Sequence, residues 1–165
     1  MEFLNLRKFI PDIYFDIRYA TTNNFIGRKI YQNDSCLLRS GTAVKLFKVQ
    51  SVLRELGLSL KIFDAYRPPS VQKIFWDFLP DERYIAHPLK GSKHSRGAAV
   101  DVTLVDHKGI EFEMPTSFDE FTEKAHRSYN DLPEKIIKNR QFLEQIMEKG
   151  NTRCRLLVAG FWDAG

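Results

Sequence analysis

Apolar and polar positions alternate most clearly between Ala98 and Val105. In an extended chain Ala99, Asp101, Thr103 and Val105 share one face, and Val100, Val102 and Leu104 share the other. The run is rich in β-branched residues and predicts a strand. A turn at Asp106-His107-Lys108-Gly109 and a short partner strand, Ile110 to Met114, follow it. Upstream, the stretch from Gly41 to Leu56 predicts a helix. Val44, Phe47, Leu53 and Leu56 fall close to one of its faces, joined by Leu46, Val49 and Val52, with Ser40 or Thr42 as cap and Gly57 as stop. A strand, Leu58 to Phe63, comes directly after. Beyond Pro68-Pro69, Ser70 to Leu79 predicts a short helix with Ile74, Phe75 and Phe78 inward. Pro133 marks the start of a final helix carrying Ile136, Ile137, Phe142, Leu143, Ile146 and Met147. The segment Ile10 to Ala20 reads as extended, and His87 to Gly97 as a loop. Together these elements predict an α+β domain with a small, mostly antiparallel sheet flanked by helices.

Asp101 breaks the apolar pattern of its strand. A carboxylate in such a place needs a cation, a set of donors or a metal, because burying it unpaired is expensive. His94 lies seven residues earlier, on the loop side of Gly97, where a bend brings an imidazole beside that carboxylate. A His nitrogen and an Asp oxygen are two of the three protein ligands of a catalytic zinc site. The spacing alone fits equally a buried Asp bonded to backbone amides and a solvated His. Arg67 follows a strand and precedes two prolines, which hold its backbone extended. From the residues alone it is a surface arginine paired with Asp64. Asp119 is placed to cap a helix-like run, Phe118 to Ala125, and Tyr19 to pack in a strand. His87 and His107 read as solvated. Glu123-Lys124-Ala125-His126 has a ligand-like spacing, and Asp163 is a conceivable substitute ligand.

Composition narrows the partners. With 165 residues, 43% hydrophobic and 28% charged, the chain suits a single domain over 1–165. No apolar run approaches the roughly 20 residues that span a bilayer, so no membrane partner is expected. The amino terminus lacks a secretory pattern, which predicts a cytoplasmic protein. Cys36 and Cys154 lack metal-ligand spacing and read as reduced thiols. The formal charge of +4 raises the question of nucleic acid, but acidic residues interleave with the basic ones, as in Glu134 to Glu148. Nucleic-acid binding is therefore discounted.

Four segments carry a resemblance. Ser92 to Asp101, as S-x-H-S-R-G-x-A-x-D, resembles the zinc motif of the D-alanyl-D-alanine dipeptidases, within a wider group of zinc D,D-peptidases. Asp64-Ala65-Tyr66-Arg67-Pro68 is similar to their D-x-Y-R-P segment. Ile17-Arg18-Tyr19-Ala20-Thr21 with Asn24-Phe25 resembles their amino-terminal region, and Met114 to Asp119 their Met-x-x-x-Phe-Asp turn. The resemblance runs in the family's order from about Asp16 to Met147. It implies the hedgehog/D,D-peptidase-like fold and one Zn2+ per chain, with His94 and Asp101 as metal ligands. It implies Arg67 as the catalytic residue that stabilises the oxyanion, Ser92 and Asp119 as binders of the substrate's ends, and Tyr19 as pocket lining. Asp64 then orients Arg67 or its loop. The implied substrate is the small dipeptide D-alanyl-D-alanine, in cell-wall metabolism. Alternatives are a catalytically inactive binding or relic protein on the same fold, or a D,D-carboxypeptidase acting on longer wall peptides.

The resemblance stops at the carboxyl end. The family closes its site with Glu-x-x-His, usually Glu-Trp-Trp-His, which supplies the general base and the third zinc ligand. Here no Glu or His occurs after Glu148, and Gly150 to Gly165 diverges, as a truncation or an altered reading frame would produce. Zinc binding and hydrolysis are expected to be severely impaired.

Overall fold

The longest ladder pairs two strands antiparallel, β4 (Leu58–Asp64) and β5 (Asp101–Asp106), and a single irregularity in it sets the site. From Leu58↔Asp106 to Ile62↔Val102 the register is regular; it then shifts so that Asp64 faces Asp101. Phe63 is the extra residue of this β-bulge. Without it Phe63 would oppose Asp101, and Asp64 would turn toward the face that carries the core.

The structure, a computed structural model, describes residues 2–149 and the backbone of Leu157–Val158. Its remaining elements are β1 (Phe3–Asn5), α1 (Leu6–Phe9), β2 (Tyr14–Phe15), β3 (Leu37–Arg39), α2 (Ser40–Glu55), α3 (Pro69–Phe78), α4 (Glu134–Lys149) and β6 (Leu157–Val158). Single 3-10 turns lie at Arg18–Ala20, His94–Arg96 and Glu123–Ala125. The main sheet has the order β2-β4-β5-β6, and β1 and β3 form a separate antiparallel ribbon. The long ladder is antiparallel, whereas both two-residue edge pairings, β2 with β4 and β5 with β6, are parallel. The fold is thus α+β with a mixed sheet. No helix among the described residues is long and apolar enough to cross a membrane.

One face of the sheet, with Leu60, Ile62, Val100, Val102 and Leu104, packs against Leu46, Val49 and Leu53 of α2 and Leu143, Ile146 and Met147 of α4. The helix at Gly41 to Leu56 forms as expected, one residue earlier, but the side it buries differs from the pattern read in the sequence. Val44, Phe47, Val52 and Leu56 are 40–56% exposed, while Ala43, Leu46, Val49, Gln50 and Leu53 are buried. Apolar residues surround this helix, so periodicity alone could not select a side. Gln50 decides it: its Oε1 accepts from the Leu60 amide at 3.1 Å and its Nε2 donates to Ser59 Oγ at 2.9 Å, satisfying buried groups of β4 that an apolar residue would orphan.

Other elements depart from the pattern in smaller ways. Ile10 to Ala20 is not one extended run but a sharp turn, the two-residue β2 and a 3-10 turn, which together bury Ile10, Ile13 and Ile17. Ile110 to Met114 makes only a bridge at Glu111, since two of its backbone bonds suffice to tie it to β5. In α3 Phe75 turns inward as expected, joined by Val71 and Gln72, while Phe78 is exposed. Phe118 to Ala125 is mostly turn, with only a 3-10 turn at its end.

The burial pattern of α2 gives a direct test. Leu53→Ala is expected to lower the unfolding free energy by about 2–5 kcal/mol, and Val52→Ala by no more than about 0.5 kcal/mol, in urea titrations. Equal losses would contradict the packing of this helix.

Candidate metal centre

Gly97 makes the approach of His94 to β5 possible. It adopts φ +62°, and a Cβ there would run into the Phe3 ring, so any side chain is both strained and obstructed. The chain thereby reverses after the His94–Arg96 turn and enters β5, which returns the imidazole to Asp101. His94 is 1% exposed. Its Nδ1 lies 2.7 Å from the Ala65 carbonyl oxygen, which can only accept, so Nδ1 carries a proton and Nε2 is left to face another partner. Among the described residues that Nε2 has no hydrogen-bond partner, and it lies 3.4 Å from Asp101 Oδ1. A buried imidazole nitrogen and a carboxylate oxygen facing each other without a hydrogen bond leave a place for a shared positive charge, and a divalent metal ion fits it.

Asp64 completes a cluster. One ligand atom each from Asp64, His94 and Asp101 lies within 4.8 Å of the others, a grouping that could hold a metal ion. Asp64 is already committed, however. Its Oδ1 accepts from Tyr31 Oη at 2.7 Å, and its Oδ2 accepts from Arg67 Nε at 3.0 Å and Nη2 at 2.8 Å. His94 and Asp101 therefore hold the free ligand atoms. Burial raises the Asp64 pKa, against the pull of the Arg67 charge.

Arg67 stands beside this pair, not on the surface. It is 7% exposed, and its Nη2 lies 3.7 Å from Asp101 Oδ2. Its amide donates to the His94 carbonyl at 3.2 Å, and the neighbouring Tyr66 amide to Leu37 at 2.9 Å, so the segment is fastened between β3 and the His94 turn. The guanidinium lies 4.5 Å from the Phe75 ring centroid and 5.5 Å from that of Tyr19. Burial opposes its charge most strongly of any single influence, but Asp64, Tyr19, Tyr31 and Asp101 together outweigh it and hold the Arg67 pKa above its usual value.

The remaining sequence-derived residues occupy the rim. Tyr19 is buried against Phe75 and donates from Oη to Asp119 Oδ1 at 2.9 Å; burial and Asp119 together push its pKa well up. Asp119 caps no helix. It has φ 61°, the only positive φ of a non-glycine residue among those described, and its Oδ2 accepts from the Phe25 amide at 3.4 Å. Backbone strain of this kind persists where the surroundings impose it. Burial above all raises the Asp119 pKa, to about 7. Ser92 is buried, and its Oγ accepts from the His94 amide at 3.2 Å. Next to this rim, a cavity of about 400 Å³ lies between Phe63, Thr103, Met114, Thr116 and Phe118.

The structure thus brings His94, Asp101 and Arg67 together, with Tyr19 and Asp119 linked to Arg67 through the aromatic wall. It keeps His126 apart, beside the Tyr84 ring, and His87 against Trp76. His107 lies in the turn after β5. Asp163 lies outside the described residues. Tyr31 is the functional neighbour the sequence concealed: a tyrosine within an irregular segment carries no signal of pairing with a carboxylate 33 positions away.

Asp64, His94 and Asp101, flanked by the buried Arg67 cation, form a cluster that could hold a metal ion, as a metallopeptidase centre requires. The M15 peptidase family described as D-ala-D-ala dipeptidase matches residues 1–154, and the chain belongs to that family. The D-alanyl-D-alanine dipeptidase of Escherichia coli (strain K12) is 38% identical over 149 residues, covering 90% of this chain and 77% of the relative. The protein of that name from Enterococcus faecalis (strain ATCC 700802 / V583) is 29% identical over 167 residues, covering 88% and 83%. That from Streptomyces coelicolor is 27% identical with the same coverage.

Metal titration tests the centre. The loss of supporting groups around a metal typically weakens binding about 10–100-fold. Tyr31→Phe is therefore expected to weaken divalent-metal binding about tenfold, and His94→Ala or Asp101→Asn by more than about 100-fold, by calorimetry on metal-free protein. Unchanged affinity in His94→Ala would remove the centre.

Proposed function

We propose that this chain is a zinc D,D-dipeptidase of the hedgehog/D,D-peptidase-like fold whose substrate is D-alanyl-D-alanine. One observation carries the reading: an unpartnered, buried His94 Nε2 facing Asp101, with Arg67 fixed alongside, in a chain of the D-ala-D-ala dipeptidase family. His94 and Asp101 would hold the ion, which when bound acidifies a water molecule and polarises the scissile carbonyl. Arg67 supplies fixed donors where negative charge develops on that carbonyl oxygen. Its rigid anchorage matters, since a preorganised cation need not reorient during reaction.

The dipeptide is a zwitterion, and the rim matches its two ends. The Asp119 carboxylate, held by Tyr19 and the Phe25 amide, receives the ammonium group. Ser92, whose Oγ already accepts from the His94 amide, has its hydroxyl proton left for the terminal carboxylate. Tyr19 walls the pocket and restrains Asp119. Cys36, buried as a free thiol, fits a reducing, cytoplasmic setting. No described residue is assigned the general base. In the family that role belongs to the Glu of Glu-x-x-His, and this chain has neither residue type after Glu148.

A second reading, a carboxypeptidase acting on longer wall peptides, draws on the cavity lined by Phe118 and Glu120, the chain neighbours of Asp119.

The decisive measurement is alanine release from D-alanyl-D-alanine by the purified, zinc-loaded chain, and by a version with Glu-Trp-Trp-His grafted after Lys149. A positioned base contributes about 10²–10⁴-fold, so the graft is expected to be faster by at least that factor. Equal rates would show that another group does its work. Release from longer D-alanyl-D-alanine-ended peptides but not from the dipeptide would favour the second reading.

The pH dependence follows from Asp119. Below about pH 7 its carboxyl is protonated and cannot pair with an ammonium ion; above it the pair forms. KM for the dipeptide should therefore fall as pH rises through about 7, and Asp119→Asn should abolish that fall. On the grafted version with Asp119 intact, a KM that is flat from about pH 6 to about pH 8 would remove Asp119 from substrate recognition.

A further inference from the structure

We propose that Gln72, on the first turn of α3, is the positioning residue that fixes the rotation of the Arg67 guanidinium and joins it to the segment leading to Ser92 and His94. The inference rests on the proposed role of Arg67. Gln72 is 2% exposed, so each of its polar atoms must find a partner. Its Oε1 accepts from Arg67 Nη1 at 3.1 Å, and its Nε2 donates to the Ala86 carbonyl at 2.8 Å. The chemistry leaves one orientation of the amide. A guanidinium can only donate and a carbonyl can only accept, so the oxygen faces Arg67 and the nitrogen faces Ala86.

Asp64 alone does not fix Arg67. It takes two N–H groups on the Nε and Nη2 side through a single oxygen, Oδ2, which leaves the guanidinium free to swing about that point. Gln72 takes Nη1 on the opposite side and stops the swing. With both contacts made, the unused Nη2–H is directed toward Asp101, where Nη2 lies 3.7 Å from Oδ2. Ala86 belongs to the connection between α3 and Ser92, and its carbonyl is held by the same amide that holds Arg67. One side chain thus ties the cation to the connection that leads to Ser92.

The test has one arm that needs no catalysis. In uniformly 15N-labelled protein, the Arg67 side-chain signals are assigned with Arg67→Lys and followed in Gln72→Met, which keeps the volume and removes both contacts. The expected result is slow rotation and proton exchange at both Nη groups in the wild type. In Gln72→Met, fast exchange appears at Nη1 while the Nε–H signal stays in place through Asp64. Restricted Nη1 signals in a folded Gln72→Met protein would overturn the proposal. In the second arm, on the grafted version, Gln72→Met should lower kcat for D-alanyl-D-alanine about tenfold, within the range for supporting residues, and leave KM within about twofold. A changed KM with unchanged kcat would overturn it. If the grafted version itself releases no alanine, the dipeptidase reading fails while the spectroscopic arm still decides the role of Gln72.

Discussion

The apposition of two buried carboxylates, Asp64 and Asp101, across the bulge in β4 is the constraint that organises the structure around it. Like charges directly opposed on a sheet repel, and burial removes the water that would screen them. The Arg67 guanidinium and the Tyr31 hydroxyl answer that repulsion in part. Arg67 and Tyr31 occupy the oxygens of Asp64, while the Arg67 guanidinium and His94 Nε2 approach Asp101 without closing a hydrogen bond to it. The unfilled share of this compensation falls at the point where a metal ion fits. The site is thus the remainder of an electrostatic problem posed by strand register.

The aromatic cluster of Tyr19, Phe25, Phe75 and Phe118 works in the opposite direction, by lowering the local dielectric. Tyr19 lies 4.5 Å from Phe75, and Phe63 lies 4.9 Å from Phe118, ring to ring. This wall strengthens each ionic contact inside it and raises the penalty for any left incomplete. The shifted pKa of Asp119 and the sharp preference for a compensated Arg67 follow from the same desolvation.

Much of the centre was legible in the sequence because it depends on local chain events: a histidine before a glycine, a carboxylate in an apolar strand, an arginine locked by prolines. These allowed His94 to meet Asp101 as one of two readings, whereas Arg67 read as a surface arginine paired with Asp64 until the family resemblance drew it into the site. The buried side of α2 was not legible, since its apolar residues surround the helix and the choice rests on Gln50 reaching β4. Asp119 was read as a possible cap because the strain in its backbone comes from contacts with Tyr19 and Phe25, far away in the chain. Tyr31 was invisible for the same reason, and the bulge at Phe63 has no glycine to announce it.

The packing of Phe3 on Gly97 has a consequence for how the centre is braced. The ribbon of β1 and β3 is three residues deep and stands apart from the main sheet. It also bears directly on the turn that presents the imidazole, through Phe3 and through the Arg39 amide bonded to the Gly97 carbonyl at 3.1 Å. Leu4, between Phe3 and Asn5, packs against the main core and Leu6 lies within it, so the same short segment braces both the turn and the domain's interior. The placement of the imidazole is thereby tied to the packing of the core rather than left to its own loop.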